Sequence, residues 1–439
     1  MQTTAWHVNS LNLTNFRAYE SLRIDFETDL TVLVGLNAEG KTSVLDALAI
    51  SLGSVIAGFG QTAPGFQTHD AHAKAHNLDS WSSIATLEQA YPIRAELAAT
   101  IAGEHYSWTR ERRSSKGRTT WGDNGVRAAV QRLAEEATAA SHWGVTLPVI
   151  GYYGVERLVG VRRDQGSIPT SRLGAYAAAL DPKSDLTRLG NYLKSLMLRA
   201  AVDLTRDRPA PAPVRAQLDA IDAATHAALA DFGWHRPIWD PMVGTITLTP
   251  TTGGATLPLD WLSSGVRITA GLVIDLASRM ARANPHLGGD DLLKTTPGIV
   301  LIDEVDLHLH PQWQQRIIGI LRETFPKVQF IVTTHSPQVL STVPARCIRI
   351  LSDKQALTPL HSEGLRSDIV LQAIQETTPE PPTQNRKKLD DYLSLVHKDQ
   401  GETPKALGLR RELEEEMGGV SLVPELGEAD AYMAIFGDE

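Results

Sequence analysis

The spacing of apolar residues along this chain separates two kinds of predicted strand. Apolar and polar residues alternate over residues 11–13 and 22–26, which predicts strands with one buried face. Uninterrupted apolar runs instead predict strands that are covered on both faces, as in a parallel sheet. These runs occupy residues 30–34, 147–153, 298–302 and 328–332. Helical spacing separates the runs, so the chain is expected to be an α/β protein.

The segments between these strands divide into antiparallel, irregular and helical stretches. Residues 93–121 alternate as antiparallel strands do, and residues 244–258 predict further short strands. Residues 59–92 have weak periodicity, which favours a loop or short helices. Helical patterns occupy residues 126–141, 170–233, 268–280 and 312–325, and the tail after residue 382. No heptad pattern is sustained over many turns, so no long coiled coil is expected.

A phosphate-binding motif follows the first uninterrupted apolar run. Residues 35–42 fit the pattern G-x-x-x-x-G-K-[ST], and a helical pattern begins directly after them. In such a loop, backbone N–H groups and the helix N-terminus point at phosphate oxygens. Lys41 is expected to reach the β- and γ-phosphates, while the Thr42 hydroxyl binds Mg²⁺. The predicted ATP-binding residues of this loop are Gly35, Asn37, Ala38, Gly40, Lys41, Thr42 and Ser43.

Two carboxylates follow the apolar run at residues 298–302. In a parallel sheet, a carboxylate at the carboxyl end of a strand lies close to a phosphate-binding loop. Asp303 is expected to hold the Mg²⁺ shell, and Glu304 is expected to orient and polarise the attacking water. Alone, an Asp-Glu pair after a strand is as often a solvated loop start, so this interpretation depends on the phosphate-binding motif.

A second anion-binding helix start lies far along the chain. Most of the sequence separates Lys41 from Asp303, so a long insertion lies between the two motifs. Near its end, Ser263, Ser264 and Gly265 open an apolar helix whose N-terminus is able to bind an anion. Because the chain's own nucleotide already has a phosphate cradle, the simplest use of this helix is to cap the γ-phosphate held by another copy. The alternative is an ordinary serine N-cap.

Histidines accompany both C-terminal apolar runs. His335 follows the run at residues 328–332 and is placed to reach a γ-phosphate or its attacking water, although an isolated histidine there is more often structural. Asp306, His308 and His310 lie in the loop after the other run. Because no third metal ligand stands nearby in the sequence, this loop is expected to contact another subunit.

Composition argues against several classes of protein. The net charge of −9 over 439 residues argues against a protein that coats nucleic acid through bulk charge, although it is compatible with a local basic groove. The single cysteine, Cys347, leaves no intramolecular disulfide and no cysteine zinc cluster, and it is expected to be a small core residue. No signal peptide or membrane-spanning run is visible, so a cytoplasmic protein without membrane contact is expected.

Together these motifs resemble the ABC-type ATPases of the RecF/SMC group, strongly over residues 10–60 and 260–350. In that resemblance, residues 35–43 are the Walker A motif and residues 262–267 the signature motif. Asp303 and Glu304 then form the Walker B pair.

The remaining correspondences concern three shorter segments. Residues 306–311, which include Asp306, resemble the D-loop, and His335 resembles the switch histidine. Residues 15–17 match the Asn-Phe-Arg common near the start of such chains, which adds Arg17 to the expected ATP-binding residues.

The resemblance implies an ABC-type P-loop ATPase head with a mixed sheet, an antiparallel β subdomain and a helical insertion, without a long coiled coil. The expected N-terminal ATPase lobe, with the P-loop and β subdomain, covers residues 1–160, and a mainly helical insertion covers residues 161–258. The C-terminal ATPase lobe then covers residues 259–360, and a helical extension covers residues 361–439.

The resemblance also implies a homodimer, or a higher homo-oligomer, that closes around ATP and Mg²⁺. Ser264 and Gly265 of one subunit would close on the nucleotide held by Lys41 of the other, and hydrolysis through Glu304 would open the dimer. Compact members without a coiled coil are typical of bacterial defence ATPases, and the chain most resembles the PtuA ATPases of Septu and retron-associated systems, whose partner is the HNH nuclease PtuB. The chain is therefore expected to regulate or sense for a DNA-targeting anti-phage defence complex, without nuclease activity of its own.

Two alternative functions would involve a different partner, either duplex DNA or a membrane transporter. A RecF-like ATPase of DNA repair or recombination would bind duplex DNA directly, and this alternative stays open. A membrane-transporter subunit is disfavoured because residues 262–267 depart from Leu-Ser-Gly-Gly-Gln and no Q-loop glutamine is identifiable, Gln61 and Gln67 being weak candidates. Ala38 also stands where many relatives have glycine.

Charged segments supply candidate partner surfaces. The basic turn at residues 110–118 and the cluster of Arg157, Arg162 and Arg163 are candidates for nucleic acid or a partner protein. The acidic helix at residues 410–417 is a candidate for a basic partner. In each case a solvated charged face is the more common explanation.

Overall fold

A computed structural model describes residues 5–76, 86–122, 124–139, 144–156, 171–183, 186–205, 212–375, 377–378 and 380–436. The chain separates into two compact units, Met1–Val370 and Leu371–Glu439.

Fifteen strands form four sheets within these described residues. They are β1 (His7–Phe16), β2 (Tyr19–Asp25), β3 (Leu30–Gly35), β4 (Ala73–His76), β5 (Thr86–Gln89), β6 (Ile93–Ile101), β7 (Glu104–Arg112), β8 (Val149–Tyr153), β9 (Trp234–Asp240), β10 (Thr245–Pro250), β11 (Leu257–Pro258), β12 (Gly298–Ile302), β13 (Val328–Thr333), β14 (Ile348–Ser352) and β15 (Gln355–Leu357).

Twelve α-helices accompany the strands in the same part of the chain. They are α1 (Lys41–Gly58), α2 (Val126–Thr138), α3 (Leu186–Thr205), α4 (Ala212–Leu229), α5 (Ser264–Ala283), α6 (Gly289–Thr295), α7 (Pro311–Thr324), α8 (Pro337–Leu340), α9 (Ser367–Ala373), α10 (Gln384–Val396), α11 (Pro404–Met417) and α12 (Pro424–Phe436).

The largest sheet combines strands from both ends of the first unit. Its order is β15-β14-β3-β13-β12-β8, and every neighbouring pair is parallel except β14 with β15. All residues of β8, β12 and β13 are buried, as the uninterrupted apolar runs predicted. The predicted α/β fold with a mixed sheet is therefore confirmed, and β13 brings the ends of β3 and β12 to one edge.

An antiparallel sheet of order β2-β1-β6-β7 covers α1. The indole N–H of Trp108 on β7 donates to the Ser51 carbonyl of α1 at 2.9 Å, which fixes the sheet on the helix. Of the described helices, α1 alone is long and apolar enough to cross a membrane, but 83% of that window is buried inside the fold. It is the core helix that begins at the phosphate-binding loop.

Residues 59–92 differ from the loop or short helices expected there. A 3₁₀ turn covers Thr68–Asp70, and the hairpin of β4 and β5 follows it. The His72 N–H donates to the Asn15 carbonyl at 3.0 Å, which pairs this segment with the end of β1. Because the pairing is with a distant segment, the local sequence pattern does not reveal it.

The expected basic turn at residues 110–118 is wrong for its first three residues, which belong to β7. Arg110 is 2% exposed, and its guanidinium donates to the carbonyls of Ile50, Pro64 and Thr120 at 3.0, 3.2 and 2.8 Å. Because the buried guanidinium is held by three backbone carbonyls, Arg110 stabilises the fold and offers no surface to nucleic acid. The cluster of Arg157, Arg162 and Arg163 lies outside the described residues.

The second unit is a helical group that includes α10, α11 and α12. Leu389 and Tyr392 of α10 are buried with Leu413 of α11 and Leu426 of α12. Arg410 forms a two-bonded ion pair with Asp430, at 2.7 and 2.9 Å. This basic residue of the acidic segment at 410–417 therefore joins helices within the unit.

A buried glutamine joins the two principal sheets. Gln329 of β13 is 1% exposed, and it is a polar residue within an otherwise apolar run. Its side-chain oxygen accepts from the Val8 N–H at 2.7 Å. Its amide nitrogen donates to the carbonyls of Val8 and Glu27 at 2.9 and 2.7 Å. The Gln329 side chain therefore joins the parallel sheet, through β13, to β1 of the antiparallel sheet.

Replacing Gln329 with methionine keeps the side-chain volume but leaves these backbone groups without their partner. We expect Gln329→Met to lower the free energy of unfolding by about 2 to 4 kcal/mol, which chemical denaturation measures. Gln131→Met on the exposed face of α2 is the matched control and should change it by less than about 0.5 kcal/mol. Equal effects of the two substitutions would contradict this role of Gln329.

Candidate functional site

Two glycines of the phosphate-binding loop are required by close contacts. β3 ends at Gly35, where a Cβ atom would lie 2.5 Å from the carbonyl oxygen of Leu351. Gly40 has a φ of 82°, and a Cβ atom there would lie 2.8 Å from the ring of Tyr19. The Tyr19 hydroxyl donates to the carbonyl of the neighbouring Glu39. Tyr19 therefore braces the loop, which the sequence pattern did not indicate.

Residues 37 and 38 complete the turn of this loop. Ala38 has a φ of 74°, a left-handed conformation that glycine adopts without strain. Asn37 and Ala38 are both exposed, as is Leu36, whose side chain is 58% exposed. The tip of the loop therefore faces solvent, while Thr42 and Ser43 begin α1.

Lys41 lies at the centre of this loop. It is 8% exposed, and its Nζ donates to the carbonyls of Gly35 and Leu36 at 2.8 and 3.0 Å. Burial lowers the pKa of Lys41, although the carboxylates of Asp303 and Glu304 act in the opposite direction. The ammonium is thus held inside the turn by backbone oxygens, where an anion would compete favourably for it.

The two predicted Mg²⁺ ligands are in direct contact. The Thr42 hydroxyl donates to Asp303 Oδ2 at 2.8 Å, although 261 residues separate the two in the chain. Asp303 Oδ1 accepts from the Thr333 hydroxyl at 2.6 Å, and Asp303 is 2% exposed. A hydroxyl and a carboxylate at one point are the hard oxygen donors that suit Mg²⁺. Thr333, at the end of β13, orients this carboxylate and was missed by the sequence analysis.

Glu304 and His335 lie on the turns that follow β12 and β13. Glu304 has a φ of 47°, and its N–H donates to the Thr333 hydroxyl at 2.7 Å. A left-handed glutamate beside a phosphate-binding loop is the kind of strained position found at functional sites. Burial, followed by the charge of Lys41, lowers the pKa of His335, which favours its neutral imidazole.

Arg17 is tied to the helix that begins at the loop. Its Nη1 lies 2.5 Å from Asp46 Oδ2, and its Nε lies 2.8 Å from Asp70 Oδ1. The Tyr152 hydroxyl donates to the other oxygen of Asp46 at 2.8 Å. Asp46 and Asp70 more than offset the effect of burial on the guanidinium, so the pKa of Arg17 is raised. Asp46 follows Thr42 by four residues, a helical spacing that would have identified it.

The signature residues open α5, as predicted. Ser263 is the N-cap, and its hydroxyl accepts a long hydrogen bond of 3.5 Å from the Val266 N–H. Ser264 is partly exposed, whereas Gly265 is buried. A Cβ atom on Gly265 would lie 2.9 Å from the carbonyl oxygen of His308. The start of α5 therefore packs directly on the predicted D-loop.

Other polar contacts fix that D-loop. Asp306 Oδ1 accepts from the Thr334 hydroxyl at 2.6 Å, and His310 caps α7 by accepting from the Gln312 N–H at 3.4 Å. The weak Q-loop candidates lie elsewhere: Gln61 donates to the Leu173 carbonyl at 3.5 Å, while the Gln67 side chain donates to the Gly65 carbonyl at 3.1 Å.

The close approach at Gly265 gives a test with a matched control. We expect Gly265→Ala to lower the free energy of unfolding by about 1 to 3 kcal/mol, because the new methyl group meets a backbone oxygen. Gly319→Ala, within α7 and with open space around the new methyl group, should instead raise it by up to about 1 kcal/mol. Chemical denaturation measures both. A neutral Gly265→Ala would mean that α5 does not pack tightly on the D-loop.

Known protein families match most of this chain. Residues 10–202 match a family described as "AAA domain", and residues 157–341 match one described as "AAA domain, putative AbiEii toxin, Type IV TA system". The protein named Retron Ec83 probable ATPase, from Escherichia coli, is 27% identical over 454 residues, which cover 89% of this chain and 80% of that protein.

Two further proteins match shorter segments of the chain, and one solved structure matches most of it. Septu protein PtuA of Bacillus thuringiensis is 35% identical over 96 residues, or 22% of this chain and 24% of that protein. The DNA replication and repair protein RecF of Oenococcus oeni is 51% identical over 43 residues, or 10% of this chain and 12% of that protein. A solved SMC head bound to the C-winged helix domain of ScpA is similar with a TM-score of 0.47 and 18% identity, covering 80% of this chain and 97% of that one. The chain is therefore similar, over different shares of its length, to retron ATPases, Septu PtuA and RecF.

Proposed function

We propose that this ATPase hydrolyses ATP at a composite site formed by two copies of the chain. The observation that carries the proposal is the contact between Thr42 and Asp303, which assembles one half of a phosphate site from distant segments. The other half is the start of α5, where Ser263, Ser264 and Gly265 present a helix N-terminus. A second copy would bring that helix start to the γ-phosphate.

The residues have distinct roles in this mechanism. Lys41 and the backbone N–H groups of its loop bind the β- and γ-phosphates. Mg²⁺ would be held by Thr42 and Asp303 and would neutralise charge on the phosphate oxygens. Glu304 orients and polarises the attacking water, and neutral His335 donates a hydrogen bond to the γ-phosphate. Arg17 would exchange a carboxylate partner for a phosphate oxygen.

We propose further that ATP-driven dimerisation regulates a separate nuclease of the HNH type within a DNA-targeting anti-phage complex. Similarity to retron and Septu proteins supports a role in such a complex, whereas the HNH type of the partner is inferred from the resemblance of the sequence motifs alone. The chain itself is proposed to lack nuclease activity. We also propose that the chain divides into lobes with boundaries at residues 160, 258 and 360. If the isolated protein bound duplex DNA with strong salt dependence, a RecF-like role in repair would be favoured instead.

Glu304→Gln separates ATP binding from hydrolysis. We expect this substitution to reduce the turnover of ATP by a factor of about 100 or more, because the attacking water loses its polarising carboxylate. ATP binding should persist, and the protein should accumulate as a dimer with ATP in sedimentation experiments. Glu323→Gln, on α7, is the control and should turn over normally. A strict monomer of Glu304→Gln in saturating ATP would contradict the dimer.

Exposed apolar side chains beside the signature support a second copy as the partner. Trp261 is 76% exposed, Met242 is 92% exposed and Val243 is 51% exposed. Trp261 ends the 3₁₀ turn Leu259–Trp261, which follows β11, and Met242 and Val243 lie in the turn between β9 and β10 of the same sheet. Exposed apolar side chains mark interaction surfaces when they cluster, and tryptophan is enriched where binding energy concentrates.

Trp261→Ala tests this surface. In the Glu304→Gln background with ATP, we expect it to weaken the dimer by a factor of about 10 or more, since truncation of a central tryptophan commonly costs 2 kcal/mol or more. Nucleotide binding by the monomer should be unchanged. Leu360→Ala, at a residue that is 89% exposed, is the control. If both variants dimerise equally, the surface around Trp261 is not part of the interface.

A further inference from the structure

Two hydrogen-bonded links join the D-loop to the turn that carries His335. In the first, the Thr334 hydroxyl donates to Asp306 at 2.6 Å and accepts from the Ser336 N–H at 2.9 Å. This link connects residues that directly precede and follow His335 to the predicted subunit-contact loop.

The second link is a single side-chain amide on α7. Gln314 Oε1 accepts from the Ser336 hydroxyl at 2.7 Å, and Gln314 Nε2 donates to the Leu309 carbonyl at 3.0 Å. Ser336 is 5% exposed, and its hydroxyl also caps α8 by accepting from the N–H groups of Gln338 and Val339. Leu309 is 7% exposed and lies within the D-loop. Gln314 therefore contacts both functional turns at once.

We propose that Gln314 is a positioning residue for ATP hydrolysis, which sets the turn of His335 relative to the D-loop and hence to the start of α5. The proposal rests on the proposed ATPase function. The chain of contacts is continuous, because Gly265 at the start of α5 lies against the carbonyl of His308. An error of about 1 Å in placing a group at the γ-phosphate costs about 100-fold in rate, so a residue that fixes this spacing affects turnover without touching the nucleotide.

The chemistry of the link requires an amide. Its oxygen must accept from the hydroxyl of Ser336 while its nitrogen donates to a backbone carbonyl. A glutamate at position 314 would keep the acceptor but lose the donor and place a negative charge beside the Leu309 oxygen. A methionine would fill the same space and make neither hydrogen bond. Gln314→Glu therefore removes one of the two hydrogen bonds, whereas Gln314→Met removes both.

The experiment compares three variants at two glutamines of α7 in the full-length chain. Gln314→Met, Gln314→Glu and the control Gln312→Met are assayed for kcat, KM, ATP affinity and thermal midpoint; Gln312 is exposed. We expect kcat to fall at least tenfold in Gln314→Met and less in Gln314→Glu, with ATP affinity within about twofold of wild type. Gln312→Met should match wild type.

A second substitution separates positioning from simple stabilisation. Ser336→Ala should lower kcat, and its combination with Gln314→Met should lower kcat by less than the product of the two single effects, because both remove the hydrogen bond that joins Ser336 to Gln314. Full additivity of the two changes, or a wild-type kcat in Gln314→Met, would overturn the inference. If Gln314→Met fails to fold, Gln314→Glu and Ser336→Ala supply the same comparison. Absence of ATP hydrolysis by the wild-type protein would instead overturn the proposed function together with this inference.

Discussion

The site depends on the position of β13 between β3 and β12. Parallel pairing on both sides aligns the carboxyl ends of the three strands, so Lys41, Asp303 and Thr333 meet although they come from distant parts of the chain. The hydroxyl of Thr333 then serves both neighbours after β12, since it donates to Asp303 and accepts from the N–H of Glu304. One strand end thereby fixes the carboxylate that we propose to bind Mg²⁺ and the backbone of the glutamate beside it.

The burial of this region explains why its polar groups are so fully paired. Thr333 and Thr334 are completely buried, and a buried hydroxyl without a partner costs about 1 to 3 kcal/mol. Each of them meets that requirement through a carboxylate of the adjacent turn, Asp303 or Asp306. The hydrogen bonds that satisfy these two buried hydroxyls therefore also orient Asp303 and Asp306, so the same contacts stabilise the fold and set the geometry of the proposed site.

The sequence predicted most of the central sheet and the phosphate-binding loop, because their signals are local. An apolar run such as residues 328–332 indicates a strand that is buried on both faces. The glycines at positions 35 and 40 indicate a turn with close backbone contacts. The hairpin of β4 and β5 was not predicted, because residues 59–92 have weak periodicity and the residue before β4 bonds to the end of β1, a distant segment. The role of Arg110 was missed for the same reason, since its acceptors Ile50 and Pro64 come from other segments.

The parts of the site that the sequence did not reveal are those that transmit geometry. Tyr19 supports the loop from the side, Thr333 orients a carboxylate, and Gln314 connects two turns, yet none belongs to a motif with its own spacing. In the proposed composite site, the helix start of one copy would reach the nucleotide of the other, so the position of that helix start within its own chain matters. The packing of α5 on the predicted D-loop at Gly265 fixes this position. The proposed response to ATP requires this contact to be stiff, because a compliant contact would absorb the displacement that a bound phosphate imposes.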